Sequence, residues 1–138
     1  MAEALILDAE ALNALAHPAQ RRVLAERASA ILGLAYEKRA LVRVPAPVLA
    51  LVCRGARYDS AINHLLNNRG VRVSELTRKV AQRAGHLLAR LKLSSAHAID
   101  AFVVATALEF DTAVIATGDP EDIRRLAAPF RRVGIFAL

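Results

Sequence analysis

Ala96-His97-Ala98-Ile99-Asp100-Ala101-Phe102-Val103-Val104-Ala105-Thr106-Ala107-Leu108 is followed closely by Thr112-Ala113-Val114-Ile115-Ala116 and then by Asp119-Pro120-Glu121-Asp122. The first segment has helical composition and is apolar almost all round, which is the pattern of a buried helix. The second is short, apolar and β-branched, which suits a buried strand. The third places Pro just inside a helix start with acids in the first turn. A buried helix, a buried strand and another helix in succession are the unit of an α/β layer fold with a mostly parallel sheet.

The neighbouring segments repeat this alternation. Downstream, Arg132-Val133-Gly134-Ile135-Phe136 closes the chain as a strand. Upstream, Ala4-Leu5-Ile6-Leu7 is a strand ending at Asp8, with a helix beginning near Ala9. Further helices are expected over 18–38, 48–53 and 58–68, the last closed by Gly70. Val42-Arg43-Val44 and Val71-Arg72-Val73 are brief strands. Ser74 is expected to cap a helix over 75–91, and Ser94 or Ser95 a helix over 96–110. About five short strands in a three-layer α/β/α arrangement are expected, in a single domain over 1–138 with no repeat or linker.

Composition narrows the function classes. With 138 residues and 55% hydrophobic content the chain can build a sizeable core. Charges interrupt every apolar run well short of the roughly 18 residues of a membrane span. No basic region precedes the short apolar stretch at the N-terminus, so a signal peptide is not expected. The single Cys53 forms neither an internal disulfide nor a thiolate metal site and is expected to be a small core residue; a cytoplasmic setting is expected. The net charge of +6 is unevenly spread. Residues 54–92 carry nine bases against Asp59 and Glu75, whereas residues 93–138 sum to −2. A basic middle beside an acidic C-terminal part fits a polyanion partner near a carboxylate site, or simply a solvated helix face. Aromatic residues are only 4%, too few for a base-stacking sheet platform.

Ligands of an open parallel sheet collect at the carboxyl ends of its strands. Asp8 ends the first strand, and Asp119 comes three residues after the end of a later one. Each also suits an N-cap. Asp100 separates the two readings, because its position inside an apolar helix is not a cap. An ionised carboxylate there is costly unless paired, hydrogen-bonded or metal-bound. His97, three residues earlier on the same face, is the local partner for a plain ion pair. Three carboxylates around one cavity repel unless a divalent cation neutralises them, and oxygen ligands favour Mg²⁺ or Mn²⁺ over Zn²⁺. Such a cation lowers the pKa of a bound water and clamps a phosphate oxygen, the chemistry of metal-dependent nucleases.

Four blocks in order resemble the PIN domains of VapC toxins, Mg²⁺-dependent ribonucleases of toxin–antitoxin modules. The first two are Leu5-Ile6-Leu7-Asp8-Ala9-Glu10-Ala11-Leu12 and Val44-Pro45-Ala46-Pro47-Val48-Leu49-Ala50-Leu51-Val52-Cys53-Arg54-Gly55. The third is His97-Ala98-Ile99-Asp100-Ala101-Phe102-Val103-Val104-Ala105-Thr106-Ala107-Leu108-Glu109, and the fourth is Ala116-Thr117-Gly118-Asp119-Pro120-Glu121-Asp122-Ile123. The resemblance implies a PIN-like fold over the whole chain, Asp8, Asp100 and Asp119 as catalytic metal-holding acids, and cleavage of RNA phosphodiesters. It also implies a homodimer and a cognate antitoxin that covers the site, typically by inserting an Arg near the acids.

The second block departs from the family. Its usual Glu is replaced by Leu51, and no acid falls between Arg39 and Asp59. That change defines an alternative: a natural or engineered variant with weakened or lost catalysis that keeps the dimer and the antitoxin. Glu10 and Asp59 are the acids that could substitute. Thr117 and Asp122 are accessory site candidates, each with a plain alternative as a strand-end Thr and a helix-dipole acid. Arg54 and Arg57 are candidates for RNA contact, while His17, His64 and His86 show no ligand spacing. A phospho-accepting receiver-like regulator is a third reading; it would want an acidic pair near the first strand and an Asp ending a central strand.

Overall fold

Ala4-Leu5-Ile6-Leu7 forms the centre of the sheet because all four side chains are apolar and need cover on both faces. In the computed structural model, which describes residues 3–68 and 70–138, each of the four is at most 2% exposed. Five strands lie in one parallel sheet: β1 (Glu3–Leu7), β2 (Leu41–Pro45), β3 (Val71–Ser74), β4 (Thr112–Thr117) and β5 (Val133–Ala137), in the order β3-β2-β1-β4-β5. All four pairings are parallel, so the mostly parallel sheet expected from the sequence is parallel throughout.

This order puts a topological switch between β1 and β4. The chain steps outward from β1 to β3, then crosses back to β4 on the other side of β1. Right-handed crossovers therefore place the early helices on one face and the late helices on the other. The early helices are α1 (Ala9–Ala16), α2 (Arg22–Glu37), α3 (Leu49–Val52) and α4 (Ala56–Asn68). The late ones are α5 (Arg78–Leu91), α6 (Ala98–Ala107) and α7 (Pro120–Ala127). Packing agrees: α1 lies against α2 and α4, whereas α6 lies against α5 and α7. The main core joins Ile6, Leu12, Val44, Ile62, Val104, Ile115 and Leu126 across both layers.

Several boundaries differ from expectation. Pro18 sits in a turn, and α2 begins only at Arg22. α4 starts at Ala56, directly after Gly55 turns the chain at φ 123°. Ser74 is not a cap; it pairs with Pro45 and extends β3, and the cap of α5 is Thr77, which accepts from the Val80 N–H at 3.2 Å. Thr77→Ala is therefore expected to cost about 1 kcal/mol of stability in urea titration, with Ser74→Ala nearly neutral. Cys53 is exposed at the end of α3 rather than in the core.

The basic segment is partly structural. Arg83 and Arg132 both donate to the Leu108 carbonyl at the end of α6, at 3.4 and 3.0 Å. Lys79 and Arg83 also reach Glu109, and Arg90 lies over the Phe130 ring. Lys79, Arg83 and Arg90 hold α5 to its neighbours and Arg132 ties the start of β5 to the end of α6, while Arg54, Arg57 and Arg72 are exposed; Arg69 lies outside the described residues. No described helix is long and apolar enough to cross a membrane.

Candidate functional site

Asp8 and Asp119 leave the carboxyl ends of neighbouring strands at the switch point. Leu7 pairs with Ala116, and the Asp8 N–H continues the ladder to the Ala116 carbonyl at 3.2 Å. The plain capping role is real for Asp8: Oδ1 accepts from the Ala11 N–H at 2.9 Å and caps α1. For Asp119 it is not. This residue occupies the cap position of α7, its side chain makes no capping bond, and it is exposed. Thr117, fully buried, links the two acids. Its hydroxyl bonds the Asp8 carboxylate and accepts from the Asp119 N–H at 3.0 Å.

Asp100 requires a correction. A 3-10 turn over Ser95–His97 precedes α6, so Asp100 stands in the first turn of that helix and is half-buried, not deep inside it. From Ala101 to Ala107 the helix is apolar and, apart from half-buried Phe102, buried, as expected, but a place near a helix start is open to this acid after all. The His97–Asp100 pair is also modified, since His97 Nδ1 reaches across to Asp122 Oδ2 at 3.7 Å. Asp122 is held in turn by Arg125 at 3.5 Å, one helical turn on.

The compact group among the described residues is thus His97, Asp100 and Asp122, whose ligand atoms all lie within 4.8 Å of one another. Asp8 and Asp119 stand outside that group, yet their charges reach it. The Asp100 carboxyl is pushed up by burial, then by the negative charges of Asp122 and Asp119, with His97 opposing. Asp8 is pushed up to about 6, chiefly by burial; Thr117 and the Ala11 N–H pull it down, and Glu10 and Asp100 push it further up. Sequence reasoning misses His97 as a ligand-capable group and underweights Asp122. The available signal is the spacing of His97 and Asp100, which fits an ion pair equally well.

This donor set suits a hard divalent cation. Several carboxylates raise one another's cost of ionisation, which a cation relieves, and one imidazole adds a ligand acceptable to Mn²⁺. Leu51 contributes no donor. It lies on α3 and is 45% exposed, while Val48 and Val52 turn into the core.

The PIN domain family model matches residues 5–129, nearly the whole chain. The chain belongs to the PIN domain family. That membership sets aside the receiver-like reading. Two solved structures share the fold at low sequence identity. The VapBC2 structure from Rickettsia felis, bound to a DNA fragment from its promoter, has a chain 12% identical with a TM-score of 0.65, covering 97% of this chain and 98% of that one. VapBC-1 from nontypeable Haemophilus influenzae is 14% identical with a TM-score of 0.64, covering 97% of each chain. No curated protein matches in sequence.

Proposed function

We propose that this PIN protein is a Mg²⁺- or Mn²⁺-dependent endoribonuclease, the toxin of a toxin–antitoxin pair, acting as one domain over 1–138. Asp8, Asp100 and Asp119 would hold the cation, with Asp122 and Thr117 in accessory roles. The observation that carries this is the meeting of strand-end and helix-start acids at the β1–β4 switch of a PIN sheet. When bound, the cation supplies Lewis-acid activation of water and a clamp on a phosphate oxygen. The chain's own residues do the rest. Thr117 fixes the Asp8 carboxylate and the turn carrying Asp119, and Arg125 holds Asp122 beside His97. Exposed Arg54 and Arg57 draw in the RNA backbone, a contact that weakens with salt.

The solved relatives are VapBC structures, which supports a cognate antitoxin partner. Val23 and Leu34, both on α2, are 69% and 44% exposed and offer apolar surface to a protein partner or to a second copy in a homodimer. A specific observation favours a second reading, a catalytically weakened variant: Leu51 stands where the family has an acid.

Asp100→Asn is expected to weaken Mn²⁺ binding about tenfold in a calorimetric titration. Unchanged affinity would remove Asp100 from the site. Replacing both Arg54 and Arg57 by Ala should lower the slope of RNA affinity against salt by about two, roughly one per lost phosphate contact.

A further inference from the structure

Gly118 lies between Thr117 and Asp119, at the centre of the strand-end turn. A Cβ added there would fall 2.6 Å from Glu10 Cδ, 2.9 Å from Glu10 Cβ and closer still to Oε2. The Glu10 carboxylate is therefore folded down onto the backbone of the site loop, in a seat that only glycine leaves open. Two ordinary roles do not explain this posture. An acid in the first turn of α1 satisfies the helix dipole without reaching β4. The ion pair with Arg21, at 3.4 Å with side chains 64% and 43% exposed, is of the solvent-screened kind worth little. The seat instead brings a carboxylate against the turn that joins Thr117, the partner of Asp8, to Asp119.

We propose that Glu10, seated over Gly118, supplies the site with the carboxylate that Leu51 does not provide, as a further ligand for the divalent cation; this rests on the metal-dependent reading above. The charge of Glu10 also bears on Asp8, two residues earlier.

The test is Mn²⁺ binding to the full-length protein, read by the resonance signal of free Mn²⁺. Glu10→Gln should weaken binding about tenfold, the scale of losing a site carboxylate or its support. Gly118→Ala should do the same while leaving Glu10 intact, because the new methyl evicts it. Adding Leu51→Glu to Glu10→Gln should restore affinity, and Asp59→Asn should change nothing. Binding unmoved by both Glu10→Gln and Gly118→Ala, yet lost in Asp100→Asn, would overturn the role of Glu10 alone. Loss in Asp59→Asn instead would transfer that role to Asp59. Absence of Mn²⁺ binding by the unaltered chain would overturn the metal reading and this inference together.

Discussion

Asp8→Asn is expected to raise the melting temperature of the metal-free protein at pH 7.5, although Asp8 caps a helix. The folded carboxyl titrates near 6 against 3.8 for the free group, so the fold favours the neutral acid. Below about pH 4 both folded and unfolded states carry the proton and Asp8 is at its least costly. Between about pH 4 and 6 the unfolded state ionises while this group, only 8% exposed, keeps its proton in the fold, so the penalty grows across that window to about 3 kcal/mol and is level above it. Asn avoids that ionisation and still accepts the Ala11 N–H as an N-cap. Allowing for the cost of a buried amide, the gain is about 1–3 kcal/mol, roughly 3–10 °C for a chain of this size. The comparison is a pair of melting curves in EDTA at pH 7.5 and pH 5. The stabilisation should be largest at the first and fall by roughly half at the second, where pH has crossed only about half of the interval between the free and folded values. Equal destabilisation at both values would mean that Asp8 serves the fold alone. The same variant should lose Mn²⁺ affinity, since the charge that burdens the metal-free fold is the one a cation needs.

Leu51→Glu carries the second large effect. Position 51 is 45% exposed, so exchanging Leu for Glu empties no core space and should alter stability by less than about 0.5 kcal/mol. The new carboxylate is expected to join the acid cluster, and Mn²⁺ affinity or RNA cleavage should rise by about ten- to a hundredfold. Combining it with Asp100→Asn should cancel most of that gain. No change in affinity or rate would place residue 51 away from the acids and return Leu51 to an ordinary exposed side chain.

The sheet is legible in the sequence because β1 and β4, two of its three inner strands, are written as largely unbroken apolar runs. Their adjacency is not written in either run. It comes from the crossover that brings β4 back beside β1, and that step decides which acids meet. Cap positions are ambiguous for a local reason. Ser74 and Thr77 are both competent caps, and the role falls to Thr77 because Ser74 is held by its pairing with Pro45. Asp100 stands out in the sequence for its apolar surroundings, a signal that the 3-10 turn ahead of α6 weakens, yet it does lie in the cluster. The closeness of His97 to Asp122 depends on α6 packing against α7, and the seat of Glu10 on Gly118 depends on α1 lying over the end of β4. Neither tertiary contact leaves a periodic trace in the sequence.

Metal-dependent cleavage at the carboxylate cluster is tested by incubating a mixed RNA pool with the unaltered protein, the Leu51→Glu variant and the Asp100→Asn variant, each with Mn²⁺ or with EDTA. The expected result is slow cleavage by the unaltered chain, faster cleavage by Leu51→Glu, and loss of both in EDTA, with Asp100→Asn inactive throughout. Cleavage by Leu51→Glu alone would make the Leu51 chain a binding protein rather than a nuclease. RNA left intact by all three proteins, or cut equally well in EDTA, would contradict a metal-dependent ribonuclease.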